Sequence, residues 1–301
     1  MAYTYTELLD DLKVRGMIPT GQATFTQARF LSAVNAVMRS KILPFVLRLR
    51  ENFYAYDIDF AINATGTYRI PSRAIAAKLK DVAIMDGSRR IYVAWLKEHE
   101  LNDLQVSPYA RPGVFLKRNS MTLVPPTPNA GSLLRVSIFL RPGEIVDPSN
   151  AAQITSIDPD GVTVGFASVP ISWSNSNLFE LVQAEPHFDC LGYDLPAATV
   201  NTGVGGHIVF SDPVSTDLVV GDWVSLTGQT PVIQVPLEMH PYLAQVAANY
   251  CMRGQSDSEA YKMGLDEEER LQKDLTSMFQ PRIEDEGKKL VNRTGIVRRG
   301  M

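Results

Sequence analysis

Tyr54-Ala-Tyr-Asp-Ile-Asp-Phe-Ala-Ile62 is the stretch where the hydrophobic spacing of this 301-residue chain changes. Within it Tyr56, Ile58, Phe60 and Ile62 alternate with polar or small residues, which is the two-residue period of a half-buried strand. On the N-terminal side the apolar residues recur at spacings of three and four, as on one face of a helix. The change predicts a helical start followed by a β domain.

Residues 1–53 are therefore predicted to be helical, and the helical spacing returns after Pro236. Pro44 is expected to end or kink the second helix, because proline lacks a backbone N–H and clashes with the preceding turn. A capping box that begins at Ser256 predicts a last helix running to about Phe279. The apolar face of the second helix consists of Phe30, Leu31, Val34, Val37, Met38 and Ile42.

The segment between the helical ends is predicted to form β-hairpins. Thr67 to Ile70 is expected to be the return strand of the stretch that begins at Tyr54. Turn residues at Gly87-Ser88, Asn119-Ser120 and Asp158-Pro-Asp-Gly161 predict three further hairpins. Leu133 to Leu140 alternates in the same way and is predicted to be another strand.

The charge distribution divides the chain more sharply than these patterns do. The whole sequence carries a formal net charge of −4. No Lys or Arg occurs between Arg141 and Arg253, and these 111 residues contain 12 Asp and Glu. The other 190 residues carry 29 basic and 21 acidic residues, a net charge of +8. A step of this size indicates a domain boundary.

The acidic segment is predicted to be a second β domain, because short apolar stretches recur every 8 to 12 residues or so with turn residues between them. The candidate strands lie near residues 178–182, 206–210, 218–220 and 222–226. This spacing fits either a small barrel or a sandwich.

The predicted fold class is α+β. Helices at the two ends of a chain can pack together only if the β segments between them loop out, so we expect one helical bundle formed by both ends. The predicted divisions are N-terminal helices 1–53, a β domain 54–141, the acidic β insert 142–235, C-terminal helices 236–280 and a basic arm 281–301.

The C-terminal arm has three possible roles. Residues 287–301 contain five Lys and Arg and no acid, so they are expected to be extended or disordered. The arm could bind nucleic acid through phosphates, dock into a groove of a partner protein, or be a frayed terminus. Interleaved apolar residues and the lack of an aromatic residue for base stacking favour a protein partner. The candidate docking residues are Arg282, Lys288, Lys289, Leu290, Val291, Arg293, Ile296, Val297, Arg298 and Arg299.

Catalytic and metal-binding motifs are missing from the sequence. The four histidines never pair at a metal-ligand spacing: His99, His187, His207 and His240. Gly203-Val-Gly-Gly206 lacks the Lys-Ser/Thr of a phosphate loop. We expect no cofactor and no enzymatic activity. The alternative from another class is a β-domain binding module for carbohydrate or a host surface, with Trp173 and Trp223 as stacking platforms.

The sequence also bears on compartment. The N-terminus lacks a basic start followed by an apolar run, and no stretch approaches the ~18 apolar residues that cross a bilayer. Cys190 and Cys251 lie in unrelated contexts and do not suggest a disulfide. We therefore expect a protein with no membrane partner that is made in the cytoplasm.

Four stretches follow one another in a characteristic order: the N-terminal helix pair; Thr67-Tyr-Arg-Ile-Pro-Ser-Arg-Ala74 with Leu79-Lys-Asp-Val82; Gly221-Asp-Trp-Val-Ser-Leu-Thr-Gly228 with Pro231-Val-Ile-Gln-Val-Pro-Leu-Glu-Met-His-Pro241; and the last helix with Phe279-Gln-Pro-Arg282 and Lys288-Lys-Leu-Val-Asn-Arg293. Their order resembles the head-to-tail adaptor (connector) proteins of tailed bacteriophages, of the tail-tubular and gatekeeper-like type. The resemblance covers roughly the whole chain outside residues 142–217.

The resemblance implies a structural virion protein at the head-to-tail interface, assembled in the host cytoplasm. It implies a homo-oligomeric, commonly dodecameric ring beneath the portal protein, which continues the channel for genomic DNA without sequence-specific contact and gives tail or nozzle proteins a docking platform. The C-terminal arm would then climb onto the portal, and Arg69, Arg73 and Lys80 are candidate subunit-interface residues. In such a ring the acidic inserts would repel one another, so we expect them on the outer rim or along the channel wall. Another collar or tail-tube protein is a close alternative.

Overall fold

The computed structural model describes residues 5–18, 26–97, 112–125, 131–184, 187–253 and 258–279. The chain is a mixed α+β protein, as predicted, with several sheets and few helices. The α-helices in these ranges are α1 (Tyr5–Arg15), α2 (Gln27–Val37), α3 (Leu43–Leu49), α4 (His240–Met252) and α5 (Ser258–Met278).

Pro44 was expected to end or kink the second helix; the helical run continues past it, and the regular α-helix is interrupted before it, at Met38–Ile42. A π-helical turn, Met38–Ile42, joins α2 to α3, and the N–H of Leu43 bonds to the carbonyl of Met38. This wider turn carries the chain past the proline, which has no N–H to donate. The resulting run, Gln27–Leu49, is 23 residues long and apolar enough by composition to cross a membrane, also against expectation; half of its apolar window is buried within the protein.

Helices from the two ends of the chain contribute to one hydrophobic core. Leu8 and Leu12 of α1 and Val34 of α2 belong to this core, and Leu243 of α4 and Leu275 of α5 join it from the other end of the sequence. Both α1 and α2 pack on α4. A second set of side chains, Ile233 and Val235 among them, extends this core toward the β domains.

Two four-stranded sheets form a β sandwich in the first β domain. The first sheet has the order β1-β8-β3-β4 and the second the order β2-β7-β6-β5. Apolar side chains of both sheets, such as Ile84, Met121, Leu134 and Ile138, share one core. The strands are β1 (Ala55–Ala61), β2 (Thr67–Arg69), β3 (Ala74–Asp86), β4 (Arg89–Tyr92), β5 (Ala94–Leu96), β6 (Gly113–Lys117), β7 (Ser120–Val124) and β8 (Leu133–Leu140).

The predicted partner of the first strand is wrong. Strand β1 pairs with β8, so that Ile58 lies opposite Val136, while β2 pairs with β7 in the other sheet. The hairpin around Gly87-Ser88 is confirmed, since Asp86 lies opposite Arg89 across that turn. The hairpin predicted around Asn119-Ser120 is also present, with its turn one residue earlier, at Arg118-Asn119.

Six strands of the acidic segment close into a barrel, which decides between the two predicted β architectures. Their order is β10-β11-β16-β14-β13-β17, and the hairpin around Asp158–Gly161 joins the first two. The predicted strand at 218–220 is absent, and residues 190–201 form a long strand that the patterns missed. The barrel strands are β10 (Ala152–Ile157), β11 (Thr163–Phe166), β13 (Leu178–Val182), β14 (Cys190–Asn201), β16 (His207–Phe210) and β17 (Trp223–Leu226).

Four short strands complete the described β structure. Strands β9 (Glu144–Ile145) and β18 (Gln229–Thr230) pair in parallel where the chain enters and leaves the barrel. Strands β12 (Ser168–Val169) and β15 (Gly203–Val204) pair across two loops of the barrel. The first pair ties the two ends of the acidic segment together, so the barrel is attached through both its entry and its exit.

Candidate functional site: the junction of the sandwich and the barrel

A carboxylate on the outside of the barrel marks the junction. In β13 the side chains of Phe179 and Leu181 belong to the barrel core, so alternation directs Glu180 outward. Glu180 is nevertheless fully buried, with 0% of its side chain exposed. The outer surface of the barrel is therefore covered at this point by the rest of the chain.

Arg73 supplies the opposite charge from the loop before β3. Its guanidinium forms an ion pair with Glu180, and 13% of the Arg73 side chain is exposed. Another guanidinium nitrogen donates a hydrogen bond to the carbonyl of Arg141, and the N–H of Gly228 donates to Glu180 Oε1 at 2.6 Å. One buried carboxylate thus joins the sandwich to the barrel.

A β-bulge in β14 lies directly opposite Glu180. Phe179 pairs with Leu195 and Leu181 with Gly192, so the single residue Glu180 faces the two residues Tyr193 and Asp194. Asp194 has a φ of 55°, in the left-handed region. A bulge redirects side chains, and here it brings a second carboxylate and a phenol to the ion pair.

Several buried polar atoms of the cluster lack a hydrogen bond. Among the described residues these are Glu180 Oε2, Asp194 Oδ1, Thr227 Oγ1 and Arg73 Nη1, the last being the nitrogen that forms the ion pair with Glu180. The charge of Arg73 pairs with Glu180 and also attracts Asp194, and a buried polar atom that lacks a partner costs about 1–3 kcal/mol. The cluster therefore depends strongly on Arg73.

Burial sets the protonation states of the neighbouring groups. It raises the pKa of the Cys190 thiol to about 11 and that of Tyr193 to about 12, in the latter case with help from the charge of Asp194. Burial lowers the pKa of Arg73, but a guanidinium starts above 12 and stays protonated. At neutral pH the thiol and the phenol are uncharged, so neither is an activated nucleophile.

A cavity of about 350 Å³ adjoins the cluster. Its walls come from four stretches of the chain: Phe53 and Tyr56 at the end of the helical segment and the start of β1, Arg141 at the end of the sandwich, Cys190 in the barrel, and Gln234 in the segment leading to α4. The rings of Tyr56 and Tyr193 meet edge to face, with centroids 5.4 Å apart. These four stretches therefore meet around a gap.

A polar network crosses the helical core away from the junction. Asn249 of α4 donates to the carbonyl of Gly264 at 2.9 Å and to Glu268 Oε2 at 2.8 Å, both in α5. Lys41 of the π turn pairs with the other oxygen of Glu268 at 2.6 Å, and Arg15 of α1 donates to Gln245 at 3.1 Å. Helices from both ends of the chain are thus linked by hydrogen bonds as well as by apolar packing.

The predicted interface residues have different surroundings. Arg69 and Lys80 are exposed. Arg73 is largely buried, because its charge is used within the chain by Glu180. The residues of the predicted arm, from Arg282 to Arg299, lie outside the described residues.

The structure also bears on the candidate sugar platforms. Trp173 is 4% exposed and packs edge to face on Phe179 in the barrel core, so its ring cannot stack on a sugar. Trp223 is half-buried on β17. Within the described ranges no group of three or more His, Cys, Asp and Glu side chains is arranged to hold a metal ion.

Sequence reasoning missed Glu180 and Asp194. The signal for Glu180 was present: it is the one charged residue in Leu178-Phe-Glu-Leu-Val182, within a segment that contains no Lys or Arg. A carboxylate in an apolar strand needs a cation, and here the cation could come only from another part of the chain. Asp194 gave no such signal, because the bulge that positions it depends on strand register.

A scan of protein-family models gives no match for the chain, and a search of curated proteins gives no significant relative.

Proposed function

We propose that the chain is a structural subunit of a head-to-tail adaptor ring in a tailed bacteriophage. In this proposal the helices from both ends form the ring body beneath the portal protein, and the ring continues the DNA channel toward the tail. The sandwich and the barrel project from this body. The role needs subunit contacts and a docking arm and no catalysis.

The observation that carries the proposal is the contact among the stretches on which the resemblance rests. Arg73 of the second stretch and Gly228 of the third bind the same carboxylate of Glu180. Tyr54, just after the first stretch, donates to the carbonyl of Gln234 in the third at 3.0 Å. Stretches that are far apart in sequence therefore contact one another in the fold. This supports the proposal, because stretches that together mark a family should form one structural unit.

The network in the helical core adds support for the ring body. Lys41 of the first stretch pairs with Glu268 of the last helix. Apolar side chains also remain on the helical surface: Val14 is 75% exposed, Met263 62% and Met278 59%. Such residues are available for contacts between subunits, which a ring requires.

The arm is the proposed portal-binding element. Helix α5 ends at Met278, and the basic residues from Arg282 to Arg299 follow it in sequence. A segment that becomes ordered on a partner can keep a subunit soluble until that partner is present. In this proposal the helices form the ring, and the arm binds the ring to the portal protein.

Electron microscopy of the purified full-length chain, with and without its portal protein, tests the proposal. We expect rings that stack on the portal through one face. A variant lacking Gly287–Met301 should still fold and form rings but should lose portal binding. Portal binding by the truncated chain would refute the role of the arm, and a chain that forms no ring in either condition would refute the adaptor function.

A further inference from the structure

The second sheet of the sandwich carries only positive charge. Strands β2, β5, β6 and β7 contain no Asp or Glu, and residues 104–143 hold five Lys and Arg and no acid. Arg69 and Lys117 lie on either side of Ser120 on neighbouring strands, so the three side chains share one face. That face points away from the core: Tyr68 and Met121, the sequence neighbours of Arg69 and Ser120, lie in the core, and side chains alternate along a strand.

Two arginines of this basic face have no acidic partner among the described residues. Arg69, Lys117 and Arg118 line one shallow surface depression, without a carboxylate among its lining residues. Arg69 and Arg118 make no ion pair within the part of the chain that the structure describes. On the first sheet, by contrast, Arg135 is held by both oxygens of Asp59, at 2.8 and 2.7 Å.

One end of the barrel has the complementary charge. Asp158 lies in the β10–β11 turn, and Asp212 and Asp217 lie in the loop between β16 and β17; all three are exposed. The two loops touch, because the N–H of Val214 donates to the carbonyl of Gly161 at 2.9 Å. No Lys or Arg occurs anywhere from residue 142 to 252, so nothing within the barrel neutralises these carboxylates.

We propose that the basic face of one copy binds the acidic loop end of the barrel of a second copy. The inference rests on the proposed ring and names a contact that would help to close it. The two surfaces differ, so the contact is heterologous and can propagate around a ring. It also offsets the repulsion among acidic inserts, since each insert meets a neighbour's cations within the ~8 Å screening length of physiological salt.

A second copy fits the basic face better than a nucleic acid does. Binding to a single strand commonly uses exposed aromatic rings on which bases stack. On the basic face the aromatic residue is Phe115, which is partly buried. Trp95 at the edge of the sheet is 50% exposed, but it lies opposite Val114 of the core, on the other face, and Tyr68 points into the core. Each chain carries one basic face and one acidic barrel end, so every basic face can find an acidic partner on another copy.

A charge-swap experiment on the full-length chain tests the contact. Variant R69E/R118E reverses the basic face, and D212K/D217K reverses the acidic loops; all four side chains are exposed, so both variants should fold. Each variant alone should associate about 100-fold more weakly than wild type or worse, because like charges then face each other. An equimolar mixture of the two should recover mixed oligomers, measured by sedimentation velocity. Raising the salt from about 0.1 M to about 1 M, which shortens the screening length from ~10 Å to ~3 Å, should weaken the wild-type contact.

Variant R89E/K262E is the matched control, since it makes the same change in net charge at two exposed cations away from the second sheet. It should assemble like wild type. Rings that persist in R69E/R118E, a mixture that does not recover, or an equal loss in the control would overturn the contact while leaving the ring intact. Unchanged assembly of R69E/R118E with lost binding to single-stranded DNA would instead make the face a nucleic-acid surface. A wild-type chain that never oligomerises would overturn both proposals.

Discussion

Replacing Arg73 by alanine should release the barrel from the sandwich. Glu180 has no exposed surface, and without the guanidinium its carboxylate would keep one hydrogen bond, from the N–H of Gly228. Removing one partner of a buried ion pair costs about 3–5 kcal/mol, because the remaining charge is buried and unpaired. With an m-value of about 2 kcal/mol per molar urea, the midpoint of the affected transition should fall by about 1.5–2.5 M.

Urea unfolding followed by tryptophan fluorescence measures this loss, since Trp173 lies in the barrel core. The matched control is Arg135→Ala, which removes an arginine from a bidentate pair with Asp59 whose two side chains are each 33% exposed. A surface pair contributes about 0.2–1 kcal/mol, so its midpoint should move by no more than about 0.5 M.

A double variant separates the charge effect from the loss of packing. Arg73→Met with Glu180→Met leaves no buried charge, and replacing a buried pair by apolar residues is commonly neutral or stabilising. We therefore expect this variant to be more stable than Arg73→Ala alone. The reasoning is refuted if Arg73→Ala and Arg135→Ala shift the midpoint equally, or if the double variant is as unstable as Arg73→Ala.

Three further outcomes are expected. Burial raises the pKa of Cys190 and Cys251 to about 11 each, so at pH 8 very little of either thiol is the reactive thiolate. Neither should react appreciably with a disulfide reagent until denaturant is added, and rapid labelling of the folded chain would contradict this. Burial lowers the pKa of His240 below its ordinary 6.5, so its contribution to stability is present above about pH 6.5 and is lost as the pH falls toward the folded-state value, by up to about 1.4 kcal/mol per pH unit. In urea titrations at a series of pH values, His240→Gln should make the free energy of unfolding less dependent on pH in that range. An unchanged dependence would exclude the histidine as its cause. Gly264→Ala should cost about 1–3 kcal/mol in thermal unfolding, because a Cβ would clash with Asn249 Oδ1 on the facing helix. A melting temperature equal to that of wild type would show that the two helices can move apart without cost.

Local patterns predicted the elements whose causes are local. The hairpins around Gly87-Ser88 and Asp158–Gly161 follow from turn residues that accept the needed backbone angles; both Gly87 and Gly161 have positive φ. The strand beginning after Tyr54 follows from its two-residue period and is present as β1. Its partner was mispredicted, because β1 pairs with β8 across more than seventy residues and no turn connects the two.

Other elements depend on contacts that a pattern cannot contain. Strand β14 was missed because Pro196 and Asp194 are poor strand formers; a bulge and two neighbouring strands hold them in place. The helix was expected to end or kink at Pro44, but a π turn carries it onward and Val46 beyond it joins the helical core. In each case tertiary packing outweighs the local preference.

The sequence by itself determined the helical ends, the turn-based hairpins and the separation of a −12 segment from a +8 remainder, because composition, turn residues and hydrophobic period act over a few residues. Only the tertiary structure decided that the acidic segment closes into a barrel, that β1 pairs with β8, and that Arg73 neutralises Glu180. These are pairings between distant residues, and many partners are equally compatible with a local pattern. The choice among them is made by which arrangement buries the apolar faces of the strands and gives a buried charge such as that of Glu180 an opposite charge.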